Sequence, residues 1–274
     1  MKKIASVLTL LLFAGIATFA QNKAAADKTL KPALILKIER EGGANGANIA
    51  WHPVQKKYYA AMAGNETFPM TVFDVNGKVL SSDNLETMFD VRGLWYNPTS
   101  KTLQANGYDN FGWSDYKLDG KGMPVSSRKL SVATSQPDAQ SVGAFDTKNN
   151  KLCFYDYTMV SIERHNMNDG AVADNIQLYL GAAKKENTTE TSNNDLKDNY
   201  NQNAIIYTGI PKSEIGLLNV VDRQIELYNL ANGLMTKVLK LPEDAPAEGS
   251  LNFCFTNGIY WLFNKSTREW HGYK

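Results

Sequence analysis

Two tryptophans, Trp51 and Trp95, stand 44 residues apart at the head of segments built alike. "AWHPVQKKYYAAMAGN" from Ala50 and "LWYNPTSKTLQANGYD" from Leu94 each run an apolar residue, Trp, a proline turn, a lysine and then an alternating stretch. A third copy, "AFDTKNNKLCFYDYT" from Ala144, puts Phe145 in the tryptophan slot. A weaker fourth starts at Tyr207 ("YTGIPKSEIGLLNVV") and a shortened fifth at Phe253 ("FCFTNGIYWLFN"). A repeat of this kind constrains the fold strongly, because each unit has to bury its apolar faces against its own neighbours.

The second half of each unit repeats as well. "MTVFDVNGKVL", "WSDYKLDGKGMPV", "IERHNMNDGAV" and "IELYNLANGLM" carry alternating residues into Asn-Gly or Asp-Gly and then into another strand. Such pairs suit tight hairpins whose two central positions take positive φ. Each unit therefore reads as four short strands, a to d, with little room for helix. In the first unit these fall near 48–52, 58–63, 70–75 and 78–82. Four strands in about 40 to 50 residues is the pattern of a β-propeller blade. The expected fold is thus all-β, a single β-propeller of four-stranded blades.

The last unit supplies only strands a, b and c before Lys274. "PALILKIER", ahead of the first strand a, resembles "LMTKVLKLP" ahead of the fifth unit. The N-terminal strand is therefore expected to close the last blade, pairing an edge that is otherwise open. This register favours five blades and leaves six open, since a weak unit can hide near the polar run 182–203. That run is nearly free of apolar residues. It reads as an insertion between blades, a mobile loop, with a partner-binding arm as the other reading.

Residues 1–20 have the layout of a secretory signal peptide: Lys2 and Lys3, an apolar run from Ile4 to Ile16, and a small-residue exit at Ala17–Ala20. The apolar run is too short for a good membrane span, and no cysteine follows the cleavage point to carry a lipid. The expected mature chain is exported, periplasmic or extracellular, with no membrane span, a flexible lead over 21–31 and the propeller over 32–274. Without the leader, 29 basic side chains fall to 27 against 28 acidic ones, which gives no electrostatic footprint for nucleic acid. Cys153 and Cys254 lie in apolar alternating runs and read as buried free thiols, although export permits a disulfide.

The turns of the "NPTSK" type at Asn97–Lys101 and of the "DVNG" type at Asp74–Gly77 resemble those of the YncE-like and TolB-like β-propellers that bacteria export. The leader's end, "FAQ", is similar to leaders of Bacteroidota. The resemblance covers about residues 32–274 and implies the fold. It carries no catalytic motif, and propellers host enzymes, receptors and scaffolds alike.

Ligands usually meet a propeller on the face made by the d–a and b–c loops. On that face the reading places Asp90 with Arg92, Asp138 with Gln140, and the aromatics Phe68, Phe111 and Trp113. Aromatic plates beside acid and amide groups suit sugars or a peptide. The bland alternative has the aromatics packing between blades and Asp90–Arg92 as a surface ion pair of little weight. A glycosidase needs two facing carboxylates; Asp90 stands at an inner-strand head and Asp138, Glu41 and Glu248 lie in neighbouring loops, with Asp90 plus Asp138 or Glu248 as the pair to consider. His52, His165 and His271 fall on strands that do not converge, so no metal is expected. No nucleophile elbow, phosphate loop or dinucleotide fingerprint occurs, and no cofactor is expected. The leading expectation is a non-catalytic propeller binding a protein, peptide or glycan through one loop face; a carbohydrate-active hydrolase or lyase is the alternative. Trp51 reads as scaffold, with His52-Pro53 opening an a–b turn on the opposite face.

Overall fold

The structure, a computed structural model, describes residues 25–64, 67–130, 135–181 and 193–274. The leader expected over 1–20 and the first part of the polar run, 182–192, lie outside the described residues. Two N-terminal strands, β1 (Ala25–Thr29) and β2 (Pro32–Lys37), precede a series of meanders. The first is β3 (Asn45–His52), β4 (Lys57–Ala63), β5 (Thr71–Phe73) and β6 (Val79–Ser81), and the second β7 (Val91–Asn97), β8 (Thr102–Gly107), β9 (Trp113–Leu118) and β10 (Pro124–Lys129). The third is β11 (Ala144–Asp146), β12 (Lys151–Asp156), β13 (Ser161–Asn166) and β14 (Val172–Gln177). The fourth is β15 (Tyr200–Tyr207), β16 (Ile215–Asn219), β17 (Gln224–Tyr228) and β18 (Met235–Lys240). The fifth has β19 (Phe253–Thr256), β20 (Ile259–Asn264) and β21 (Glu269–Tyr273). β2 completes it, pairing antiparallel with β21 from Pro32↔Tyr273 to Lys37↔Glu269. The result is five four-stranded blades in a ring closed by the N-terminal strand.

Burial follows radius. β4 and β8 are buried along almost their whole length, whereas the outermost strands β10 and β14 are largely exposed. An inner strand has a neighbouring blade on each side, so it reads as a nearly continuous apolar run. Trp113, Trp261 and Trp270 are fully buried between blades. Cys153 and Cys254 are buried free thiols, and burial pushes both well above the usual thiol range.

Buried asparagine amides tie blade to blade. Asn106 Oδ1 accepts from the Gly93 and Gly143 amides at 2.9 Å each, while its Nδ2 donates to Ser141 O, also at 2.9 Å. A Cβ on Gly93 would sit 2.4 Å from that oxygen, so only glycine permits the approach. Asn201 Nδ2 donates to Glu248 O and Leu251 O, and Asn252 Oδ1 accepts from Gly46 N at 2.8 Å. These three side chains join blades two to three, four to five and five to one.

Three local expectations are corrected. The c–d hairpins are not two-residue turns: Asp74 closes on Lys78 and Asp119 on Met123, with only the last loop residue, Gly77 (φ 84°) or Gly122 (φ 74°), in the left-handed region. This is a type I turn ended by a glycine bulge, and the aspartate side chain caps it by accepting two backbone amides. Next, within the lead expected to be flexible, Ala25–Thr29 runs parallel to β18 as a fifth, outermost strand of blade four. An open edge there offers unpaired backbone groups that the passing chain satisfies. The end of the polar run is also structured. Asn193–Leu196 forms a helical turn, Lys197–Asn199 a 3-10 turn, and β15 already begins at Tyr200.

Candidate functional site

The channel has two mouths. At the d–a and b–c mouth the structure brings four of the expected residues together. Arg92 holds Asp90 in a two-pronged pair, with Nη1–Oδ1 at 2.5 Å and Nη2–Oδ2 at 3.1 Å, and its Nε donates to Gln140 Oε1 at 2.8 Å. Arg92 is 3 % exposed, so this is a buried guanidinium and not a surface ion pair. Gln140 N donates to Asp138 Oδ1, which also accepts from Asn203 Nδ2. Ser250 Oγ donates to Asn203 Oδ1, Asn252 Nδ2 donates to Ser250 O and Asn45 Oδ1, and Gly64 N donates to Asp90 Oδ1. The bonds form a belt through all five blades. The polar residues expected to meet a ligand are engaged with one another.

The aromatics expected beside them do not form plates. Trp113 is fully buried and donates its indole N–H to Met167 O, and Phe68 is 2 % exposed inside the core of blades one and five. Trp113 opens a strand whose two faces both meet protein, so its place at a loop end gave a false lead. Phe111 is half-buried, stacked on Phe89 at 4.1 Å, with the Lys129 ammonium 4.3 Å above its ring centroid. Nor do the candidate acids stand free: Asp90 and Asp138 belong to the belt, and Glu248 pairs with Lys265 at 2.8 Å. No cluster of three or more metal-ligating side chains occurs among the described residues.

The opposite mouth, formed by the a–b turns, holds a cavity of about 370 Å³. Each of the five inner strands gives it at least one aromatic: Trp51, Trp95 with Tyr96, Phe145, Tyr207 and Phe255. Trp51, Phe145 and Phe255 stand one residue before the last pair of their a–b hairpins and Tyr207 in the last pair of its own, whereas Trp95 stands one residue farther back, so that Tyr96 holds the place of Trp51 in blade two. Trp95 stacks towards Phe145 at 6.0 Å, Trp51 rests 4.5 Å from Tyr58, and Phe255 lies 4.8 Å from Tyr260. Second-layer rings thus fix the first. Trp95 is further oriented by its indole N–H on Gln104 Oε1 at 3.1 Å. Thr147, Thr208 and Thr256 add hydroxyls to the wall. At its rim Pro53 and Pro98 line the cavity from the turns, and Val54 and Ile210 stand exposed beside them.

The sequence contained this signal. In the sequence Trp51, Trp95 and Phe145 align as repeat positions, which favours packing, but the hairpin registers set Trp95 one residue off that alignment; Tyr207 and Phe255, in the weak units, complete the cavity wall. Packing and lining coexist here: all of these rings border the cavity, and Trp95 and Phe145 also belong to an interblade core at 7 % exposure each.

Fold and channel define a five-bladed β-propeller with an aromatic-walled mouth. No family model and no curated protein sequence matches the chain. Among solved structures it is similar to the glutaminyl cyclase of Myxococcus xanthus, with a TM-score of 0.52 at 9 % identity over 90 % of this chain and 97 % of that one. It is also similar to the virginiamycin B lyase of Staphylococcus aureus, with a TM-score of 0.53 at 8 % identity over 89 % and 99 % of the two chains. At such identities the likeness is one of fold.

Proposed function

We propose that the protein is an exported, non-catalytic propeller, periplasmic or extracellular, that binds a glycan or peptide group in the aromatic mouth of its channel. The observation that carries this reading is the convergence of at least one aromatic from every blade on a single cavity of about 370 Å³. That volume falls at the small end of ligand sites, and flat apolar faces with hydroxyls at their edges fit a ring-shaped or short extended ligand. The exposed turn residues around the mouth give a partner further apolar surface. Asp90, Asp138 and Glu248 each serve a hydrogen-bonded or ion-paired role at the other mouth, which fits a structural use of those acids.

The test is tryptophan emission and thermal shift of the mature protein against a panel of oligosaccharides and short peptides, with the variant W51A/W95A alongside. Half-buried Trp51 and the 7 % exposed Trp95 line the mouth, while Trp113, Trp261 and Trp270 are fully enclosed, so a bound ligand should change emission from the first pair, Trp51 above all. A ligand should lose about tenfold or more in affinity in the double variant. If a ligand that binds the wild type is retained unchanged by W51A/W95A, the mouth is not its site.

A further inference from the structure

The a–b turns carry more than the apolar rim. Lys56, Lys101, Lys148 and Lys212, one from the turn of each of the first four blades, are exposed. None of their ammonium groups takes part in an ion pair or hydrogen bond among the described residues, unlike Lys57, Lys151, Lys240 and Lys265, which have partners. The acids of the same turns are engaged at home. Asp146 is fully buried and accepts from the Lys148 and Asn149 amides, and Glu214 accepts from the Lys212 and Leu230 amides. Asp74, Asp119 and Asp169 share this face but lie on c–d turns, farther from the axis, where each caps backbone amides. The mouth is therefore a neutral aromatic well with an unpaired cationic rim, on a chain whose formal charge is only +1.

Resting on the channel-mouth reading above, we infer that the ligand is an acidic oligosaccharide, with a sugar ring in the well and carboxylate or sulfate groups under Lys56, Lys101, Lys148 and Lys212. A pyranose keeps its C–H faces apolar and its hydroxyls at the perimeter, so it stacks on aromatic walls while its polar groups reach threonines and the rim. A peptide in the same well would bury backbone amides among rings that offer them few partners. The four cations compensate negative charge outside the well, where it stays partly hydrated, and steer its approach.

The experiment titrates the mature protein, by tryptophan emission, with an oligogalacturonate, a sulfated oligosaccharide, a neutral oligosaccharide of equal length, and an acidic tetrapeptide. The same set is run on K56Q/K101Q/K148Q/K212Q, whose melting temperature should match the wild type because these exposed ammonium groups hold no ion pair or hydrogen bond among the described residues. The inference expects one or both acidic sugars to bind at least about tenfold tighter than the neutral one, weaker as salt rises, with that preference lost in the lysine variant. The carboxylated and sulfated arms tell which anion is meant. Equal binding of neutral and acidic sugars, unchanged by the lysine substitutions, overturns the inference and leaves the mouth as a binding site. So does a response to the peptide alone. No response to any probe, with W51A/W95A indistinguishable from wild type, overturns both.

Discussion

Arg92 shows how a residue can be found correctly and assigned wrongly. Its neighbours Asp90 and Gln140 were legible from sequence because all three start or precede inner strands on one face. Its burial was not, because alternation along a strand tells which side chains share a face and says nothing of the belt that closes over them. The two roles separate cleanly by experiment. As a buried guanidinium with a carboxylate and an amide on its nitrogens, Arg92→Ala should cost about 3 kcal/mol in denaturant unfolding, from the groups left unpaired. Ligand affinity at the opposite mouth should stay within about twofold once the variant is folded, since nothing of the belt reaches the aromatic ring. Phe68 and Trp113 teach the same lesson for apolar residues. Aromatics at loop ends are as available to an interblade core as to a ligand, and Trp113→Ala should behave as a core truncation, losing about 3–5 kcal/mol.

At the scale of the hairpin, glycine position decides. In "DGKG" the sequence pattern drew attention to Asp119-Gly120, yet Gly122 takes the left-handed conformation and Gly120 has open space around it. Gly122→Ala should therefore destabilise by about 1–2 kcal/mol and Gly120→Ala by nothing, or stabilise by about 0.5 kcal/mol, as measured by urea melts. The strands and their order were readable because period-two alternation and turn residues recur five times. The exact hairpin type was not, since a dipeptide is compatible with several loop lengths. Blade three adds a pH-dependent element. Burial by itself would raise the Asp174 carboxyl, but hydrogen bonds from Arg164 and Lys151 outweigh it and hold it below the ordinary carboxylate value. A depressed carboxyl contributes stability above its unfolded pKa and loses it as pH falls through the folded one. Asp174→Asn should cost about 1 kcal/mol or less at pH 7, given the partial exposure, and the gap from wild type should close as the pH drops below about 4.

For the whole molecule, closure by the N-terminal strand was predictable because the fifth unit lacks a strand d and "PALILKIER" supplies one. The added strand β1 was not, since a short polar stretch has no pattern of its own and takes its structure from the edge of β18. Removing residues through Thr29 should lower the melting temperature by a few degrees and no more, because one outer edge is uncovered. Removing them through Lys37 should leave β21 paired only with β20 and its outer edge open, and the product should elute as oligomers on size exclusion. Closure also has a consequence in time. Pro32 and Tyr273 pair although they are far apart in sequence, so β2 waits for β21 to be made. A ring fastened this way postpones its own closure until β21 has emerged, which keeps the nascent chain open and threadable. Loss of the last strand, Glu269–Tyr273, should therefore undo the molecule as a whole and not trim one blade from it.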